Sequence, residues 1–137
     1  MIEACSPTAQ PVVDVELAGI AAAAAANGVA GDELELELFF HPVVPRATSF
    51  GGDVRRIARW SRMEPTTLRV QVPEGDYSAI RLVVRVARLC AGSSVGFQTV
   101  GEALSEQRLQ LSFDRITTTR LVAMSVTRST DCSGATR

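Results

Sequence analysis

The chain has 137 residues, 46% of them hydrophobic, and a net charge of -1. That is enough for one domain with a real core, and too near neutrality for a free nucleic-acid surface. A single His, and three Cys with no pair at two-to-four spacing, exclude the usual structural zinc patterns.

The near-neutral total hides an asymmetry. Residues 1–45 carry seven acids and no base, whereas residues 46–137 carry all 14 bases, every one Arg, against eight acids. Acidic early segments beside basic later ones predict internal charge pairing.

In chain order, residues 1–11 read as a tether, with Pro7 and Pro11 bracketing polar residues. Val12 to Leu17 alternates Val13, Val15 and Leu17 with Asp14 and Glu16, the period of a half-buried strand. Gly19 to Gly31 contains six consecutive alanines closed by Asn27-Gly28, which fits either one short helix or a compositionally biased loop. The apolar run from Leu17 to Ala26 is too short to span a bilayer and is preceded by acids, the reverse of a signal peptide. An exported precursor would therefore carry its signal upstream of this sequence.

The clearest stretch is Asp32 to His41, where Leu34, Leu36 and Leu38 alternate with Glu33, Glu35 and Glu37 before Pro42 ends the ladder. This strand organises the rest. Its three glutamates would repel one another unless paired, so Arg69, or Arg81 with Arg85, is expected on a neighbouring strand. Asp53 is placed to cap a short helix from Val54 to about Met63, with Arg55, Arg56, Arg59 and Arg62 around Trp60; an extended segment is the alternative.

Later strands are predicted at Leu68 to Val72, Ile80 to Leu89, Leu109 to Phe113 and Arg120 to Arg128. Ala91 to Gly101 reads as a Gly/Ser-rich loop with Phe97 as an anchor, Glu102 to Glu106 as turn or loop, and residues 129–137 as a polar tail. The pattern predicts an all-β, antiparallel Greek-key β-sandwich (Ig-like or transthyretin-like) over residues 12–128. Six to eight strands are expected, with one or two short helices in the crossovers.

Between two of these strands lies Val72-Pro73-Glu74-Gly75-Asp76-Tyr77. Pro73 sets the turn, Gly75 supplies a positive φ, and the sole Tyr opens the next strand; the arrangement resembles a tyrosine corner, in which the phenol bonds upstream backbone. The run Pro73, Gly75, Tyr77, Ile80-Arg81-Leu82 resembles the equivalent stretch in a family of bacterial envelope lipoproteins of unknown function with a transthyretin-like or carboxypeptidase-regulatory-like sandwich. The resemblance covers about a dozen residues. It implies a non-enzymatic extracytoplasmic domain and carries no catalytic residue.

Ala4-Cys5-Ser6-Pro7 looks like the start of a mature bacterial lipoprotein, which makes Cys5 a candidate lipidation site. Cys90, at the end of one predicted strand, and Cys132, just after the last, form a candidate structural disulfide that leaves Cys5 over and closes a loop of about 43 residues for on the order of 4 kcal/mol. Three reduced thiols in the cytosol are the alternative.

Gly92-Ser93-Ser94-Val95-Gly96 matches a nucleophile elbow, but no His follows it and no βαβ repeat surrounds it. The order His41, Asp53, Ser94 mimics a chymotrypsin-type triad in far too short a chain. Neither a metal site nor a cofactor is expected.

The candidate binding surface is Arg55, Arg56, Arg59, Trp60 and Arg62, residue types enriched at interfaces and suited to an anionic or sugar ligand or a protein partner. Their alternative role is a solvated face pairing with the acidic strand. Membrane contact is expected only through a lipid tether, nucleic acid is not expected, and a monomer is favoured. Two functional classes follow: an exported envelope module, or a structural subunit of a larger assembly such as a phage or viral particle or a secretion machine.

Overall fold

A computed structural model describes residues 11–29, 33–43, 52–60, 66–89 and 95–126. Among them the fold is all-β, with two sheets and one short helix in a sandwich-like arrangement. The order is β1 (Val12–Ala18), α1 (Ile20–Ala26), β2 (Leu34–Pro42), β3 (Val54–Arg59), β4 (Thr66–Gln71), β5 (Gly75–Leu89), β6 (Val95–Ser105), β7 (Leu109–Leu111), β8 (Ile116–Val122) and β9 (Met124–Ser125). The smaller sheet runs β4-β1-β8; the larger runs β3-β2-β5-β6-β9, with β7 also on β5.

Alternation explains the layers. Val13, Val15 and Leu17 of β1 face Leu34, Leu36, Leu38 and Phe40 of β2 across one core, all of them at most 2% exposed. Burying each such side chain contributes about 1.5–3 kcal/mol before chain entropy is charged against it. Leu82, Val84 and Val86 of β5 extend this layer.

One pair departs from the antiparallel expectation: β1 and β8 run parallel, Val12 opposite Ile116 through Ala18 opposite Val122. Parallel neighbours need a long crossover. Here nearly the whole domain lies between the two strands.

The alanine run is helical. Ile20, Ala23 and Ala24 are buried. Gly19 enters the helix at φ 82, where an added Cβ would sit 2.7 Å from the Ala123 carbonyl oxygen. At the far end the Asn27 amide donates to the carbonyls of Ala23 (2.9 Å) and Val100 (3.0 Å), fastening α1 to β6.

Three sequence expectations are corrected. The helix expected to start at Val54 is not there, because residues 54–59 form β3 in register with β2. Helix propensity of the Arg-rich segment is overridden by a ladder that sets Arg59 opposite Glu35 and brings Arg55 and Arg59 onto Glu37 and Glu33. Secondly, residues 95–105 are strand β6 and neither loop nor turn: β5 is 15 residues long and β6 pairs with it from Ile80 to Leu89. A register shift between Val84 and Arg85 accommodates Val100 as the extra residue, a bulge that the Gly-rich sequence permits. Lastly, the late strand is β8, beginning at Ile116, with Arg120 inside it; Phe113 falls in the turn beyond β7 and is 59% exposed.

Candidate functional site

The site is built on β3, the end strand of the larger sheet. Trp60 N–H donates to the Leu34 carbonyl at 3.2 Å, and Trp60 stands opposite Leu34 in the β2–β3 register. In an antiparallel ladder, directly opposed residues alternate between exchanging hydrogen bonds and not. Ala58, Arg56 and Val54 therefore spend their backbone groups on β2, while Arg59, Ile57 and Arg55 turn theirs to the outer edge. Among the described residues no strand pairs with that edge.

Side chains alternate the other way. Val54, Arg56, Ala58 and Trp60 are half-buried on the core side; Arg55, Ile57 and Arg59 are exposed. Arg55 Nε donates to Glu37 Oε2, and Arg59 Nη1 to Glu33 Oε2 at 2.8 Å. From the other side of β2, Arg85 Nη2 donates to Glu35 Oε1, and Arg85 Nη1 lies 3.8 Å from Glu37 Oε1. Glu37 ends with a side chain only 7% exposed. This is the pairing the charge asymmetry asked for, with Arg85 on a strand next to the Glu row. Arg81 of the same strand sits instead over the Phe39 ring, 5.0 Å from its centroid. Arg69 pairs elsewhere: its Nε and Nη2 donate to Asp14 Oδ1 (2.8 Å) and Oδ2 (2.9 Å) on the smaller sheet. That bidentate bond holds the Asp14 carboxyl below its ordinary pKa and the Arg69 guanidinium above its own.

Arg56 points inward at the sheet's end and ties the two sheets together. Its Nε donates to the Gln71 carbonyl of β4 at 2.8 Å, and its Nη1 to the Arg55 carbonyl at 2.9 Å. Beside it runs a groove of about 510 Å³ lined by Val12, Arg56, Ile57, Arg69, Val70 and Gln71. Trp60 packs against the core, and its buried indole Nε1 has no hydrogen-bond partner among the described residues. Of the five candidate binding residues, the structure brings Arg55, Arg56, Arg59 and Trp60 onto this one edge; Arg62 lies outside the described residues. Ile57 joins them. It lies within the segment that the sequence suggests as a helix, and only the two-residue period of β3 puts it outside.

The Tyr77 hydroxyl donates to the Pro73 carbonyl at 2.8 Å, and its ring meets Phe40 edge-on at 6.1 Å. Gly75 takes φ 146, a conformation open to glycine. Cys5, Cys90 and Cys132 lie outside the described residues, as does the 129–137 tail.

His41 Nδ1 lies 2.7 Å from Asp53 Oδ1, across the two ends of the β2–β3 connection. The proposed third member, Ser94, lies outside the described residues. Its chain neighbour Val95 pairs with Leu89, whereas His41 pairs with Ala79. Ten residues of strand separate those positions on β5, or about 33 Å. Among the described residues, no group of three His, Cys, Asp or Glu side chains could hold a metal ion. No helix among them is long and apolar enough to cross a membrane. No family model matches the chain, and neither does any curated protein or solved structure.

Proposed function

We propose that this chain is a non-enzymatic binding module of the bacterial envelope, an exported Greek-key sandwich of the transthyretin-like kind tethered through a lipidated Cys5. The observation that carries the reading is the outer edge of β3: a strand edge without a partner among the described residues of a charge-paired domain, flanked by Arg55 (51% exposed) and Arg59 (75% exposed). Exposed guanidinium forks beside unpaired backbone groups bind acidic or extended partners and do no bond-breaking chemistry by themselves.

The tether supports the compartment. Pro11 is buried and its carbonyl accepts from Val72 N–H at 3.0 Å, so the domain is fastened from its first strand onward. Five residues lie between Cys5 and Pro11, a reach of about 20 Å when extended. Fatty-acid labelling of the precursor expressed with its own upstream sequence tests this. Label on the wild type but not on Cys5→Ser, with the wild type in the membrane fraction, is the expected result; an unlabelled cytosolic chain overturns it.

A structural subunit of a larger assembly is the second reading. It draws on exposed apolar residues from the β7–β8 turn to β9: Phe113, Ile116, Val122 and Met124 are all more than half exposed. Light scattering against concentration discriminates, since an assembly subunit oligomerises and the tethered module stays monomeric.

A further inference from the structure

We propose that the β3 edge captures an extended peptide in which acidic residues alternate with apolar ones, adding it to the larger sheet as a further antiparallel or parallel strand. The proposal rests on reading this edge as a binding surface, and names the partner's chemistry and its mode of binding.

The inner edge of β3 already holds a strand of that chemistry. Along β2 the sequence Glu33-Leu34-Glu35-Leu36-Glu37-Leu38 places acids on the face of Arg55 and Arg59, and leucines on the core face. The outer edge presents the same guanidiniums, which remain half and three-quarters exposed after pairing with β2. A guanidinium has five N–H donors and can serve two carboxylates.

The two faces of an added strand would meet different surroundings. Its acids would lie on the outer face beside Arg55 and Arg59. Its apolar residues would turn towards the groove, where Val70, Val12 and the stem of Arg56 are already on the surface. The backbone specifies the register further. Since the Arg55 carbonyl is capped by Arg56 Nη1, the edge residues with both donor and acceptor available are Ile57 and Arg59. Main-chain bonds at these two residues would supply affinity, and the Arg rows would supply preference for acids. A lysine-bearing strand would set like charges against the edge and be rejected.

The test uses the purified chain and two short probes, a peptide alternating Glu with Val and one alternating Lys with Val. The acidic probe is expected to shift the Ile57 and Arg59 amide resonances and slow their hydrogen exchange, and to bind at least about tenfold more tightly than the basic one. Arg59→Glu should weaken it about tenfold. Ile57→Pro is the decisive variant. The Ile57 N–H makes no bond to β2, so proline there removes an edge donor with the β2–β3 ladder intact, and capture is lost from a folded chain. If Ile57→Pro does not fold, exchange protection at Ile57 in the wild type decides instead. Failure of the acidic probe to bind, equal binding of both probes, unchanged capture by folded Ile57→Pro, or dimerisation through β3 that excludes the peptide overturns the proposal. Those failures leave the lipidated envelope module standing, because Cys5 labelling reports on it separately.

Discussion

Strands β2 and β3 lie side by side and carry complementary charges, yet they play opposite parts. β2 is paired along both edges, to β3 and to β5, and its leucines vanish into the core. Among the described residues β3 is paired along one edge, half-buried, and leaves Ile57 50% exposed. The difference shows that position in the sheet, more than composition, decides whether a charged strand serves stability or recognition. In β2 the Glu37 carboxylate is enclosed by arginines from both neighbours; in β3 the arginines keep one side to solvent.

The comparison predicts a graded set of effects. Leu36→Ala, at the fully buried centre of β2, should cost about 2–5 kcal/mol in urea unfolding, because its cavity is walled by both sheets. A cost below about 1 kcal/mol would mean that β2 is not the core strand. Glu37→Ala removes the acceptor shared by Arg55 and Arg85 and should cost about 1–3 kcal/mol. Salt should recover little of that loss if the carboxylate is as enclosed as its exposure indicates.

Where β2 ends against Tyr77, Tyr77→Phe deletes one hydroxyl bond to Pro73 while keeping the ring on Phe40, for about 1 kcal/mol by thermal melt. Arg59→Ala on β3 should change stability by less than about 0.5 kcal/mol, its Glu33 partner being 77% exposed. Only its effect on peptide capture should be visible. A large destabilisation would make the β3 arginines structural and erase the contrast with β2.

The smallest effect lies on the other sheet and is read through pH. Asp14 has its folded pKa lowered, chiefly by the Arg69 hydrogen bonds. Its contribution is therefore complete above the ordinary carboxylate pKa of about 3.9 and disappears as pH falls through the lower folded value. Asp14→Asn should lower the melting temperature slightly at neutral pH and converge on the wild type below about pH 4, so that the acid side of its profile is flatter. No flattening would show that the exposed pair contributes nothing measurable.

Much of the two-layer pattern was legible because alternation encodes it directly. Val13, Val15 and Leu17, then Leu34, Leu36 and Leu38, show their buried side in the order of residues alone. The Glu–Arg pairing was legible from the charge split, and the Tyr77 turn from Pro73 and Gly75. β3 was not, since Val54-Arg55-Arg56-Ile57-Ala58-Arg59 fits a helix period about as well as a strand period. Its extended form depends on β2 offering both a ladder and carboxylates. β6 was hidden for a related reason: glycines and a bulge weaken its local signal, and the length of β5 supplies the missing template.

Local order alone thus determined which residues of β1, β2 and β5 are hidden, where the turn before Tyr77 lies, and that acids and bases must meet inside one domain. Those features rest on side-chain alternation and backbone limits that act over a few neighbouring residues. Tertiary structure decided which arginine meets which glutamate, that β8 runs parallel to β1, and that β3 stands at the end of its sheet with Ile57 outward. Each of these depends on partners distant in sequence, whose pairing energy appears only after the chain has closed the loops between them.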